Sequence, residues 1–164
     1  MDILDRLLGH NAWITRKMIE RCRTLSPEEF ARRFEIGPGS VHDTLLHTVD
    51  VMFGWADRIA GRPRRPNLDE RPWSVDDLLA KLDEAEAALE RTANDVRDAG
   101  RYEEMMELEH DGTRYRFTRG TALAHVLTHG MHHRAQVFNM FRRLGVAFDL
   151  DGDVIEWEIA QRRG

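Results

Sequence analysis

Histidines are concentrated in one short stretch of the chain, and their spacing could hold a metal ion. Four of the eight histidines lie between positions 125 and 133. Residues four apart in a helix lie on one face with β-carbons roughly 6 Å apart, so their imidazoles can converge on one ion. His125, His129 and His133 form such a series. His132 points to another side of the helix and is interpreted as a bystander.

One ion cannot bind all three members of this series. At about 1.5 Å of rise per residue, His125 and His133 are roughly 12 Å apart along the helix axis. Either the pair His125 and His129 or the pair His129 and His133 must therefore bind the ion, and another helix must complete the site. The best external candidate is His47, which lies among apolar residues in LLHTVDVMFGW. Taken alone, His47 is better explained as a hydrogen-bonded core histidine.

The helices that would position these side chains can be predicted from apolar periodicity and capping residues. In the first helix the apolar series runs from Ile3 through Leu7 to Ile19. Ser40 and Ser74 are typical N-caps of the second and third helices, and Gly145 ends the fourth. The four long helices are predicted over about residues 2–24, 40–61, 74–98 and 118–144, with short helices after Ser26 and in the tail.

The segment before the fourth long helix has a different pattern. Residues 101–118 place RYEEMMELEH and TRYRFT on either side of Asp111-Gly112, a dipeptide favoured in two-residue hairpin turns. We therefore predict an all-α four-helix bundle with a small β-hairpin insert before the last bundle helix, in a single domain over residues 1–164. The interior of such a bundle is a common place for metal and cofactor sites.

Composition narrows the classes of function. Apolar residues make up 41% and charged residues 32% of the chain, as in a soluble globular protein. A net charge of −5 gives no support for nucleic-acid binding, and Arg62-Pro63-Arg64-Arg65 is interpreted as a solvated loop. No apolar run approaches the length of a bilayer span, and the N-terminus lacks the regions of a signal peptide. The lone Cys22 favours a cytoplasmic location, and no membrane partner is expected.

At the histidine-rich helix the sequence resembles a known family. THGMHHRAQV resembles the signature H-x-x-x-H-R-G-Q of the DinB-like (damage-inducible) bundle proteins, with Ala135 where glycine is usual. His47, followed eight residues later by Trp55, resembles the family's H-x7-W. The likeness in order and spacing extends over nearly the whole chain. The resemblance implies a DinB-like four-helix bundle in which His47, His129 and His133 are the metal ligands.

The resemblance also implies a chemistry. Three neutral imidazoles with an open coordination position are typical of a catalytic divalent site, with zinc as the first choice and nickel, iron or manganese as alternatives. DinB-like proteins are similar to transferases that join a thiol such as mycothiol or bacillithiol to a small electrophile, and to isomerases that use such a thiol. A metal-dependent hydrolase and a non-enzymatic, metal- or ligand-binding stress-response protein are the alternatives. The partners implied are a small-molecule substrate and a second copy in a homodimer.

Residues near the predicted ligands receive other interpretations. Asp50, one turn after His47, is expected to be a solvated carboxylate rather than a base. Arg134 and Gln136 match the motif and are expected to serve packing or subunit contacts. His125 is expected to be capped by a backbone carbonyl. Cys22 is expected to pack inertly, and Trp55 is expected to fill the core or line a cavity above the metal. No catalytic base is evident.

Overall fold

The computed structural model describes residues 1–69 and 71–163, which form six α-helices and a two-stranded hairpin. The predicted all-α bundle with a hairpin insert is confirmed. Within the described residues no helix is long and apolar enough to cross a membrane. The elements are α1 (Ile3–Arg21), α2 (Pro27–Ala31), α3 (Val41–Ile59), α4 (Val75–Asp98), β1 (Met105–His110), β2 (Thr113–Thr118), α5 (Arg119–Arg143) and α6 (Val154–Arg163).

Side-chain caps set where five of these helices begin. The capping residues, each of which accepts a backbone N–H of the first turn, are Asp2, Ser26, Ser40, Ser74 and Thr118. Such a cap stabilises a helix by about 1 kcal/mol because it satisfies a donor that has no partner within the helix. The start of α5, and hence the position of its histidines, is therefore fixed by Thr118.

The four long helices form a ring in which α3 lies diagonally across from α1. Helix α3 packs against α4 and α5, and α1 packs against the same two helices. Helix α6 covers the outer side of α1. Because α3 and α5 are direct neighbours, a side chain on the inner face of α3 can meet the histidines of α5. This is the arrangement that the candidate site requires.

The core is continuous through the four long helices. Its largest fully buried side chains include Phe141, Ile14, Met18, Leu45, Leu82 and Leu89. The predicted apolar series of α1 is wrong at its N-terminal end, since Ile3 is 76% and Leu7 is 38% exposed. In the first turns of α1, Leu4 and Leu8 pack against the core while partly buried, and Ile14 is the first fully buried apolar residue of this helix.

The hairpin turns where the sequence predicts. His110 pairs with Thr113, which leaves Asp111 and Gly112 as a two-residue turn. Both turn residues have left-handed backbones, with φ of 48° at Asp111 and 72° at Gly112, as a type I′ turn requires. At the other end of the hairpin Phe117 lies near Trp55 of α3, with ring centroids 6.0 Å apart. The hairpin therefore borders the α3–α5 seam.

The loop after α3 is attached to that helix. The buried carboxylate of Asp57 accepts hydrogen bonds from the side chains of Arg62 and Arg65. The hydrogen bond from Arg65 is the main reason that the pKa of Asp57 lies well below its usual range. The basic loop is largely solvent-exposed, as expected, but the guanidiniums of Arg62 and Arg65 also hold it against α3.

Candidate metal centre

Three histidines from two helices form one cluster. His47 comes from α3, and His129 and His133 come from α5. One ring nitrogen from each lies within 4.8 Å of the other two. The Nε2 atoms of His129 and His133 are 3.2 Å apart. Two nitrogens bound tetrahedrally to one zinc ion, at about 2.1 Å each, lie about 3.4 Å apart, so the spacing of this pair fits a shared ion.

The structure also distinguishes between the two pairs that helical spacing allows. The rings of His129 and His133 have centroids 4.3 Å apart, and His47 lies 5.3 and 4.7 Å from them. His125 lies one turn away, where its ring is 4.9 Å from that of Trp55. Within the described residues no backbone carbonyl caps His125, so that expectation is wrong. The cluster thus consists of the predicted residues, without His125.

The electrostatics of the cluster favour neutral imidazole. Burial lowers the pKa of His47 and of His133, and lowers that of His129 to about 4. At His129 the positive charge that His133 and His47 would carry adds to the effect of burial. Neutral imidazole is the form that binds a metal. Neutral imidazole nitrogens that converge in this way fit a divalent cation. In the described part of the chain the other nitrogen of His129, Nδ1, is buried without a hydrogen-bond partner.

Gln136 orients one of these rings. Its Oε1 accepts a hydrogen bond from His133 Nδ1 at 2.8 Å, which places the ring proton on Nδ1 and leaves the lone pair of Nε2 directed at His129. Gln136 Nε2 donates to His132 Nε2 at 2.9 Å, and the His132 ring also lies edge-on to that of His133, with centroids 5.2 Å apart. This role of Gln136 was not predicted from the sequence, although its position one turn after His133 was the available signal.

A glycine in the loop between α2 and α3 leaves room for the side-chain amide of Gln136. Gly37 has a φ of +51°, and a β-carbon there would collide with Oε1 of Gln136. The left-handed backbone and the close approach both favour glycine at this position. The loop between α2 and α3 therefore packs closely against the Gln136 amide, which orients the His133 ring.

We expect Gln136→Leu to weaken zinc binding by about 10- to 100-fold, because loss of a partner that orients a ligand has costs of this size. The His133 ring would lose its hydrogen bond at Nδ1 and could rotate away from the cluster. Competition with a chromophoric chelator measures the change, and Asn139→Leu, an exposed amide-to-leucine change on the same helix, is the control. Equal zinc affinity of Gln136→Leu and the wild type would contradict the orienting role.

Asp50 is engaged rather than solvated, so that expectation is also wrong. Its side chain is 15% exposed and accepts hydrogen bonds from Arg64 Nη2 at 3.1 Å and from the backbone N–H of Leu68 at 2.8 Å. Asp50 thereby ties the 62–73 loop to α3 one turn away from His47. Both of its carboxylate oxygens have partners, which leaves it poorly suited to accept a proton from a substrate.

Two other expectations are confirmed. Arg134 is buried and packs within the chain, where its Nη1 donates to Asn11 at 2.5 Å. Cys22 is buried, its thiol donates to the Met18 carbonyl, and burial raises its pKa far above the range of a reactive thiolate. Trp55 is almost fully buried in the core, and the cavity that it lines is shared with His125 rather than with the three clustered histidines.

The cluster lies within the part of the chain that matches a known family. The model of the DinB family matches residues 1–155. The chain belongs to the DinB family. The match spans all four bundle helices and the hairpin, and so includes the three histidines of this DinB bundle. No curated protein matches the chain.

Proposed function

We propose that this DinB family protein is a divalent-metal-dependent enzyme that transfers a low-molecular-weight thiol, of the mycothiol or bacillithiol type, to a small electrophile. The observation that carries the proposal is the cluster of His47, His129 and His133, whose ligand nitrogens lie within 4.8 Å of one another. Within the described residues these three form the whole group, so a bound ion would keep open positions. Zinc is the first candidate, and nickel, iron and manganese also accept imidazole.

The chain's own residues would supply orientation and space. A divalent ion held by the three histidines would act as a Lewis acid that lowers the pKa of a bound thiol. The hydrogen bond between Gln136 and His133 Nδ1 would keep the Nε2 atom of His133 directed at such an ion. A polar cavity of about 560 Å³ borders His47 and is also lined by Asp43 and Asn67, which suits the hydroxyl-rich body of such a thiol. In the transfer, sulfur bonds to the electrophilic carbon, the leaving group departs with its electron pair, and the thiol proton passes to solvent.

The surroundings of the cluster favour thiol transfer over hydrolysis. Hydrolysis needs a general base for water more than thiol transfer does, because a thiol ionises far more readily. Asp50 is the carboxylate nearest to His47 along α3, and it is held by Arg64 and by the Leu68 N–H. A carboxylate with both oxygens engaged is a poor base, which supports the transferase.

The proposal is tested on untagged protein reconstituted with zinc, nickel, manganese or ferrous iron. Elemental mass spectrometry measures metal content, and a fluorogenic chlorobimane reports turnover with mycothiol, bacillithiol, glutathione or cysteine. Turnover that requires both thiol and metal, and that a chelator abolishes, is the expected result. Metal uptake without turnover would overturn the transferase in favour of a metal-binding protein. Failure to take up any metal would overturn both.

A further inference from the structure

A second cavity is separate from the polar one that borders His47. It has a volume of about 500 Å³ and lies between α3, the first half of α5 and the hairpin. Trp55, Phe117 and Tyr115 form its apolar walls, and His125 forms the wall towards the cluster. The centroid of the His125 ring is 5.7 Å from that of His129, so a molecule in this cavity lies one side chain away from the candidate metal ligands.

The cavity carries more positive than negative charge. Arg58 and Arg64 both line it, and Arg64 is paired with Asp50. Arg58 lies over Trp55, with its guanidinium carbon 5.3 Å from the ring centroid. Within residues 1–69 and 71–163 no carboxylate lies within ion-pair distance of Arg58. Burial and the neighbouring charge of Arg64 lower the pKa of Arg58, and the smaller effect of the Asp50 carboxylate raises it.

The shape and charge of this cavity favour one class of ligand. A half-buried guanidinium without a partner presents two parallel N–H donors, which match the two oxygens of a carboxylate. The aromatic walls favour a flat apolar body, because aromatic faces stack on such groups. Together these features describe a planar carboxylic acid small enough for the cavity.

We infer that this cavity binds the electrophilic substrate and selects a planar carboxylic acid, whose carboxylate is held by Arg58 and whose apolar part lies against Trp55 and Phe117. That the bound acid is a substrate rests on the proposed function, but its binding to the cavity does not depend on metal or turnover. It assigns Arg58 as the residue that determines specificity.

Cinnamate and its neutral isostere cinnamamide are the probes. Calorimetry on metal-free wild-type protein excludes direct binding of the carboxylate to a metal. We expect cinnamate to bind at least about tenfold more tightly than cinnamamide, the factor that one charge-assisted contact supplies. Arg58→Gln is expected to remove this preference, Arg58→Lys to retain part of it, and Arg142→Gln, an exposed change at the end of α5, to leave it intact. Inorganic phosphate is expected not to compete.

Several results would overturn the inference: no binding of cinnamate, equal binding of acid and amide, an unchanged preference in Arg58→Gln, or competition by phosphate at equal affinity. These results are distinguishable from failure of the proposed function. Selective cinnamate binding without thiol transfer would leave the cavity assignment standing and remove the transferase. Thiol transfer that treats acidic and neutral electrophiles alike, in wild type and Arg58→Gln, would do the reverse.

Discussion

Replacing His129 with alanine is expected to abolish stoichiometric zinc binding and to lower the affinity for zinc by more than about 100-fold. Loss of a ligand should cost more than loss of a residue that only orients a ligand, which costs about 10- to 100-fold. The three rings form a triangle, in which the centroid of His129 is 4.3 Å from that of His133 and 5.3 Å from that of His47. Without it, the remaining donors come from two different helices and no longer include an adjacent pair on α5. Elemental mass spectrometry after dialysis against zinc, together with chelator competition, measures the loss.

Two other histidines are controls for this experiment. His110→Ala removes an exposed imidazole of the hairpin and should leave zinc binding unchanged. His125→Ala is the sharper comparison, because it removes the other histidine one turn from His129 and should also leave zinc bound. Loss of zinc in His125→Ala but not in His133→Ala would show that the alternative pair binds, and would contradict the cluster described above. Retention of zinc in His129→Ala would do so directly.

The fold was predictable because its signals are local. Ser40, Ser74 and Thr118 cap helices through hydrogen bonds within their own first turns. Asp111-Gly112 specifies its turn through two left-handed backbones. Such signals act over three or four residues and can be read from one stretch of sequence. The exposed Ile3 and Leu7 escaped the same reasoning, because the burial of a residue depends on which sides of its helix the neighbouring elements cover, and Leu4 and Leu8 face the core instead.

The candidate site was predictable in its ligands and not in its surroundings. His129 and His133 are four residues apart, a spacing that itself predicts convergence, whereas the choice of His47 rested on resemblance. The residues around the ligands contact segments that are distant in the sequence. Gly37 packs against Gln136, about one hundred residues later in the chain, and the 62–73 loop donates hydrogen bonds to Asp50. A local pattern carries no information about such contacts. Asp50 was misjudged for this reason, whereas the hydrogen bond between Gln136 and His133, three residues apart, is a local contact.

A buried hydrogen bond between α1 and α5 is expected to have a large effect on the free energy of unfolding. Arg134, next in the chain to His133, is 5% exposed and donates from Nη1 to Asn11 Oδ1 at 2.5 Å and to Thr15 Oγ1 at 3.4 Å. Burial lowers its pKa to about 10, and within the described residues no carboxylate pairs with it. Gly130 permits the contact, since a β-carbon there would lie 2.7 Å from Asn11 Oδ1. A buried cation thus depends on neutral acceptors.

Asn11→Leu is therefore expected to lower the free energy of unfolding by about 3 kcal/mol, because it leaves the buried guanidinium without its shortest hydrogen bond. Arg134→Met alone should cost about 1–3 kcal/mol, since the Asn11 amide then loses its donor. The double variant leaves neither group buried without a partner. Its loss should be smaller than the sum of the single losses by at least about 1.5 kcal/mol, and urea unfolding measures all three.

The sign of this coupling separates two explanations of the contact. If Asn11 and Arg134 matter only as volume at the α1–α5 seam, their effects add, because each leucine or methionine fills its own space. If the hydrogen bond to a buried charge dominates, the double variant recovers stability that each single variant loses. Asn139→Leu, an exposed change on α5, should stay within about 0.5 kcal/mol of the wild type and calibrates the comparison. Additive losses would contradict the hydrogen-bond account, and this seam would then hold α5 in place by packing alone.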